Sequence, residues 1–134
     1  MTQHAAIIGA GPVGLALALR LLQTTGFSLT LFDAKQPEQA ALDPRTLALS
    51  AGSQELLQSL GAWQHLAPHA TAIQQIFISQ QSTPLASVHL TAAEANVAAL
   101  GYTCKYGDLV SALHKALPAT VGLTARLQIG RAHV

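Results

Sequence analysis

The hydrophobic pattern opens with an apolar run over residues 5–8, breaks at a glycine-rich stretch over 9–14, and resumes over 15–22 with Arg20 as its one charge. Leu15, Leu19 and Leu22 form one helical stripe while Leu17 and Leu21 fall elsewhere, so the spacing predicts a helix over 12–25 covered from more than one side. Pro12 suits a first helical position, and Gly26 reads as the stop. Residues 27–33 alternate, with Leu29 and Leu31 on one face, and predict a second strand. The polar stretch 35–43, which contains Pro37, predicts a loop. A second helix is expected over 53–60, with Ser50 as its cap, Leu56, Leu57 and Leu60 facing inward, and Gly61 closing it. Residues 62–66 read as a helical turn ended before Pro68. Strands over 73–79 and 84–90, joined by a polar turn, predict an antiparallel hairpin in which Ile76 and Ile78 alternate. A short extended segment over 102–105 precedes a third helix over 108–117, carried by Leu109, Leu113 and Leu117 and stopped by Pro118. A last strand is expected over 120–127. The sum is an α/β fold, a parallel sheet with an inserted antiparallel piece.

The stretch 9–14, GAGPVG, sits between the first strand and first helix, and Asp33 ends the second strand about 20 residues on. That order is the fingerprint of a Rossmann-like dinucleotide-binding βαβ unit. Gly9 permits the tight turn, Gly11 admits a pyrophosphate close to the backbone, and Gly14 lets helix and strand approach. The anion then faces free N–H groups and the positive end of the helix. Asp33 is placed to accept from ribose hydroxyls. The motif does not separate FAD from NAD, so an NAD(P)-dependent oxidoreductase and a non-catalytic nucleotide-binding module both stay open.

Composition narrows the partners. The 134 residues suit one domain. Charged residues make up 10% of the chain, against a usual share of about 25%. Either the sequence is Ala/Leu-rich by style or part of its surface belongs against something else. A net charge of +1 with no basic cluster argues against a nucleic-acid partner. The single cysteine, Cys104, excludes an internal disulfide, fits a reducing compartment and reads as a small core residue. The apolar run 5–22 is interrupted by Gly9, Gly11, Pro12, Gly14 and Arg20, which is neither a membrane span nor a signal peptide. A cytoplasmic protein is the expectation. His65 and His69 are four apart, but Pro68 spoils a shared helical face and no further ligand converges, so no metal site is expected. The carboxylates are scattered, and no catalytic residue is assigned.

Several longer stretches carry a resemblance. Gly9–Gly14 with Ala18 and Asp33, the DPRTLALS segment over 43–50, LGAW over 60–63, ATAI over 70–73, IFIS over 76–79, LGY over 100–102 and Asp108–Leu109 together resemble the N-terminal third of a known family. It is that of the flavin-dependent aromatic-ring hydroxylases of ubiquinone biosynthesis, of the 2-octaprenyl-6-methoxyphenol hydroxylase type, within the para-hydroxybenzoate hydroxylase-like fold. The resemblance implies FAD at the βαβ unit, with Gly9, Gly11, Pro12, Val13 and Gly14 as the cofactor-binding turn, Gly11 to Val13 at the pyrophosphate and Asp33 on the adenosine ribose. It places Arg45 where the family has an arginine reaching the cofactor, a role that suits a planar guanidinium facing phosphate oxygens. Where the wider family often has a cofactor-touching arginine or glutamine before the third helix, this chain has Tyr106.

The resemblance also implies a monooxygenase that uses NAD(P)H and O₂ to hydroxylate a polyprenylated phenol, with other ubiquinone-pathway proteins as partners and a peripheral position at the inner membrane. Residues 1–128 are expected to be the N-terminal part of a truncated FAD-binding domain, with 73–90 the hairpin of its substrate layer. Further Asp-Gly and Gly-Asp cofactor motifs do not follow, so the fragment alone is not expected to hydroxylate. Residues 129–134 break the strand pattern, equal one reading frame of a common sequencing-library adapter and are expected to be a non-native tail, so Arg131 and His133 carry no functional weight.

Overall fold

The computed structural model describes residues 3–79 and 87–125. In chain order the elements are β1 (His4–Ile8), α1 (Pro12–Thr24), β2 (Ser28–Asp33), α2 (Pro37–Ala41), β3 (Thr46–Ser50), α3 (Ala51–Ser59) and α4 (Trp63–Leu66). A 3₁₀ turn over Ala67–His69 leads to β4 (Thr71–Ile73), β5 (Gln75–Ser79), β6 (Ser87–Thr91), β7 (Gly101–Lys105), α5 (Tyr106–Ala116) and β8 (Gly122–Ala125).

The parallel sheet runs in the order β1-β2-β8, with Ile7 opposite Leu31 and Leu31 opposite Leu123. Leu29 and Leu31 turn one face of β2 inward, and Leu15, Ala18 and Leu19 bring α1 onto it. Leu109, Val110 and Leu113 bury the inner face of α5 in the same core, which Leu57, Leu60 and Leu66 close from the side of α3 and α4. Burying side chains of this size removes about 1.5–3 kcal/mol of exposure cost each. That shared core fixes the start of α5 relative to the start of α1.

The inserted antiparallel piece is two units, not one. Sheet β3-β7-β4 has β7 at its centre, with Leu47 opposite Cys104 and Ala72 opposite Tyr102. Hairpin β5–β6 pairs Ile76 with Leu90 and Ile78 with Val88. The expected strand over 73–79 is therefore divided, because Ile73 pairs across β7 while pairing with β6 begins at Gln75. Every residue of β5 is exposed, so the alternation of Ile76 and Ile78 does not mark a buried face. The hairpin turn and the start of its return strand, residues 80–86, lie outside the described residues, as do the end of the last expected strand and the tail 129–134.

Other departures have local causes. The stretch expected as a loop contains α2, because Pro37 occupies the first helical position and the Gln39 side chain accepts the Gln36 N–H at 3.1 Å. Ser50 does cap α3, accepting from the Ser53 N–H at 3.1 Å, but Leu56 is 45% exposed and only Leu57 and Leu60 face inward. Gly61 closes that helix at φ +76°. Gly26 adopts no such conformation. The Thr25 hydroxyl instead donates to the Leu21 carbonyl at 2.7 Å and ends α1. Among the described residues no helix is long and apolar enough to cross a membrane.

Candidate cofactor site

The turn between β1 and α1 needs its glycines for separate reasons. Gly9 sits at φ +103°, a conformation that L side chains rarely adopt, and its N–H donates to the Phe32 carbonyl at 2.7 Å. A Cβ on Gly14 would overlap the Gly9 carbonyl oxygen and press on Ile7, so only glycine lets α1 start this close to β1. Gly11 caps α1 with extended backbone and no side chain, Pro12 follows, and the first turn carries no acid. The N–H groups at the start of such a helix have no intrahelical acceptor, which leaves them to a ligand anion. Val13 is 84% exposed, so its contribution at this turn is backbone, not packing. Gly9, Gly11, Pro12, Val13 and Gly14, with Ile7, Ile8 and Leu17, line an open cleft of about 420 Å³.

Asp33 is bound into the turn. One carboxylate oxygen accepts the Ala10 N–H at 2.7 Å and the other accepts the Lys35 N–H at 2.8 Å. The end of β2 thereby fixes the glycine turn, and each carboxylate oxygen retains acceptor capacity for a hydroxyl.

Arg45 reaches this region from the segment before β3. Its Nε lies 2.9 Å from one Asp43 carboxylate oxygen and its Nη2 2.8 Å from the other. The Arg45 backbone N–H also donates to Asp43, at 3.1 Å. Hydrogen bonding by the guanidinium and then by this amide holds the Asp43 carboxyl below the usual carboxylate range and raises Arg45. The Arg45 side chain remains 67% exposed. Its Cζ lies 4.6 Å from the centre of the Tyr106 ring.

Tyr106 opens α5 and ties the segments together. Its N–H donates to the Arg45 carbonyl at 2.7 Å, and the next N–H, from Gly107, donates to the Asp43 carbonyl at 3.0 Å. A Cβ on Gly107 would overlap the Ala41 carbonyl, so glycine lets the two backbones meet. The structure thus gathers Gly9, Gly11, Pro12, Val13, Gly14 and Asp33 at one turn, with Arg45 linked to it through Tyr106. Sequence reading missed Asp43 as the partner of Arg45 and Gly107 as the anchor. The Asp-x-Arg spacing and the Tyr-Gly pair were the available signals.

Other candidates do not join this site. Cys104 is buried, and burial first, then the charge of Asp108, pushes its thiol up, the opposite of what a nucleophile requires. His65 lies in α4 and His69 in the 3₁₀ turn after it. No three His, Cys, Asp or Glu side chains among the described residues come together as metal ligands.

Unshielded amides at a helix start, a carboxylate at the end of the adjacent strand and a nearby arginine fit the diphosphate and ribose of a dinucleotide. A 3-demethoxyubiquinol 3-hydroxylase of Escherichia coli (strain K12) is 35% identical over 127 residues, which cover 91% of this chain and 32% of that protein. Among solved structures, a variant of 2-methyl-3-hydroxypyridine-5-carboxylic acid oxygenase superposes with a TM-score of 0.72 at 20% identity, over 93% of this chain and 32% of that one. p-Nitrophenol 4-monooxygenase from Pseudomonas putida DLL-E4 gives 0.72 at 15% identity, over the same shares. These structures share the fold, and the chain spans about a third of the length of the relatives it matches. The family described as FAD binding domain matches residues 2–128, and the chain belongs to it.

Proposed function

We propose that this chain is the FAD-binding part of an NAD(P)H- and O₂-dependent monooxygenase that hydroxylates a polyprenylated phenol in ubiquinone biosynthesis. The observation that carries the reading is the 35% identity to a ubiquinol hydroxylase over 91% of the chain, extending well beyond the glycine turn. FAD, when bound, supplies the redox chemistry between NAD(P)H and O₂. The residues described above have a narrower task. First-turn amides of α1 bind the diphosphate, Asp33 accepts from the adenosine ribose while holding the turn, and Arg45 adds a guanidinium beside the phosphates.

On this reading residues 1–128 form the N-terminal part of the FAD-binding domain, and hairpin β5–β6 contributes to the layer that meets the substrate. An apolar substrate places the intact enzyme at the cytoplasmic face of the inner membrane, in reach of other enzymes of the pathway. The test is to read the source DNA beyond the codon for Leu127 and assay the protein it encodes. Continuation into Asp-Gly and Gly-Asp motifs, with NAD(P)H-dependent uptake of O₂ into a polyprenyl phenol, is the expected outcome. A stop codon directly after Val134 in an expressed gene would overturn the catalytic reading.

A further inference from the structure

Tyr106 stands between the two halves of the candidate site, and its surroundings go beyond packing. The ring lies against the Arg45 guanidinium, 4.6 Å from Cζ to ring centre. The hydroxyl lies beside Gly11, 3.3 Å from where a Cβ on that residue would be. Backbone bonds hold the residue from the other side, since its own N–H and that of Gly107 clamp Arg45 and Asp43 at 2.7 and 3.0 Å. The ring is half-buried against the core, whereas the arginine it supports is mostly exposed.

An exposed arginine ordinarily samples many rotamers, and ordering it on a ligand costs side-chain entropy. Here the guanidinium is fixed along one edge by Asp43 and across one face by an aromatic ring. Two of its five N–H donors are spent on Asp43, leaving both on Nη1 and one on Nη2 for an anion. The electron-rich face of a tyrosine attracts a cation without using any of those donors. A glutamine or arginine in place of Tyr106 could contact a ligand, but neither offers a π face of this kind.

We propose that Tyr106 is a positioning residue for the cofactor, acting through Arg45: its ring pre-orders the guanidinium while its hydroxyl lies beside Gly11, so that the glycine turn and the arginine act together on a dinucleotide's diphosphate. This rests on the cofactor reading above.

The experiment titrates FAD into the full chain and follows flavin fluorescence for wild type, Tyr106→Leu, Tyr106→Phe, Arg45→Ala and the Tyr106→Leu/Arg45→Ala double variant. Tyr106→Leu should weaken binding about fivefold, the worth of a partly exposed cation–aromatic contact. Tyr106→Phe, which keeps the ring, should stay near wild type. In the Arg45→Ala background the Tyr106→Leu change should have almost no effect, a non-additivity that a purely structural role would not produce. Additive losses, or wild-type affinity in Tyr106→Leu, would overturn the proposal alone, whereas absence of FAD binding by folded wild type would overturn the cofactor reading with it. If Tyr106→Leu unfolds, Tyr106→Met takes its place in the same cycle, where a loss that vanishes in the Arg45→Ala background supports the proposal and wild-type affinity or an additive loss contradicts it.

Discussion

Asp33 has two tasks that pull on the same atoms. Its carboxylate holds the glycine turn through the Ala10 N–H and is the group proposed to accept from a ribose. Replacing it with alanine leaves the buried Ala10 amide without an acceptor, a loss of about 1–3 kcal/mol of stability. Asp33→Asn keeps an acceptor oxygen, so denaturant melts should place it close to wild type while its FAD affinity still falls. Equal melts for Asp33→Ala and wild type would show that the turn does not depend on this bond. The acid at the end of β2 was legible from its spacing to the glycines, and so were the glycines themselves. The bond from Ala10 to Asp33 spans 23 residues and was not, nor was the stacking of Arg45 on Tyr106, because sequence distance says nothing of which side chains meet across packed elements.

At the scale of elements, the long amphipathic segments were legible and the short ones were not. The strong repeat in α1 and α5 and the alternation in β2 outweigh local detail, and their expected limits differ little from those observed. Helix α2 has five residues and begins at a proline, which a linear reading takes for a breaker although it suits a first turn. Strand β3 is also only five residues long and is defined by its pairing with β7, a non-local partner. Helix α5 carries a half-buried histidine, His114. Burial lowers the His114 pKa, opposed by the negative charges of Asp33 and Glu38. The folded state therefore binds that proton less readily than the unfolded chain, whose histidine titrates near 6.5. Stability contributed by neutral His114 is full above pH about 6.5 and is lost as pH falls toward the lowered folded value. Thermal melts between pH 7.5 and 5.5 should show this decline, and His114→Gln should flatten it. An unchanged slope in that variant would assign the pH dependence to other groups.

Across the whole molecule, the low charge content finds a structural counterpart. Among the described residues most exposed large apolar side chains fall in two groups, Ile8, Val13 and Leu17 beside the glycine turn, and Ile76, Phe77, Ile78, Val88 and Leu90 on hairpin β5–β6, while Leu42, Leu56 and Val97 lie apart from both. An Ala/Leu-rich style alone would scatter such residues, whereas grouping is the pattern of a surface that is covered by something. The fold class and the nucleotide-binding unit were readable from sequence because strand, glycine turn, helix and acid occur in one continuous stretch. The division of the inserted strands between two sheets was not, because each sheet is assembled from segments far apart in the chain.

The turn at Gly9–Gly14, held by Asp33 and flanked by Arg45, is proposed to bind the ADP half of FAD. The direct measurement is calorimetric titration of the folded 134-residue chain with FAD and with ADP, repeated for Asp33→Ala and Arg45→Ala. One shared site is expected, with ADP competing against FAD and both variants weakening both ligands. Folded wild-type chain that binds neither ligand, or FAD binding that ADP does not displace and that both variants leave unchanged, would contradict it.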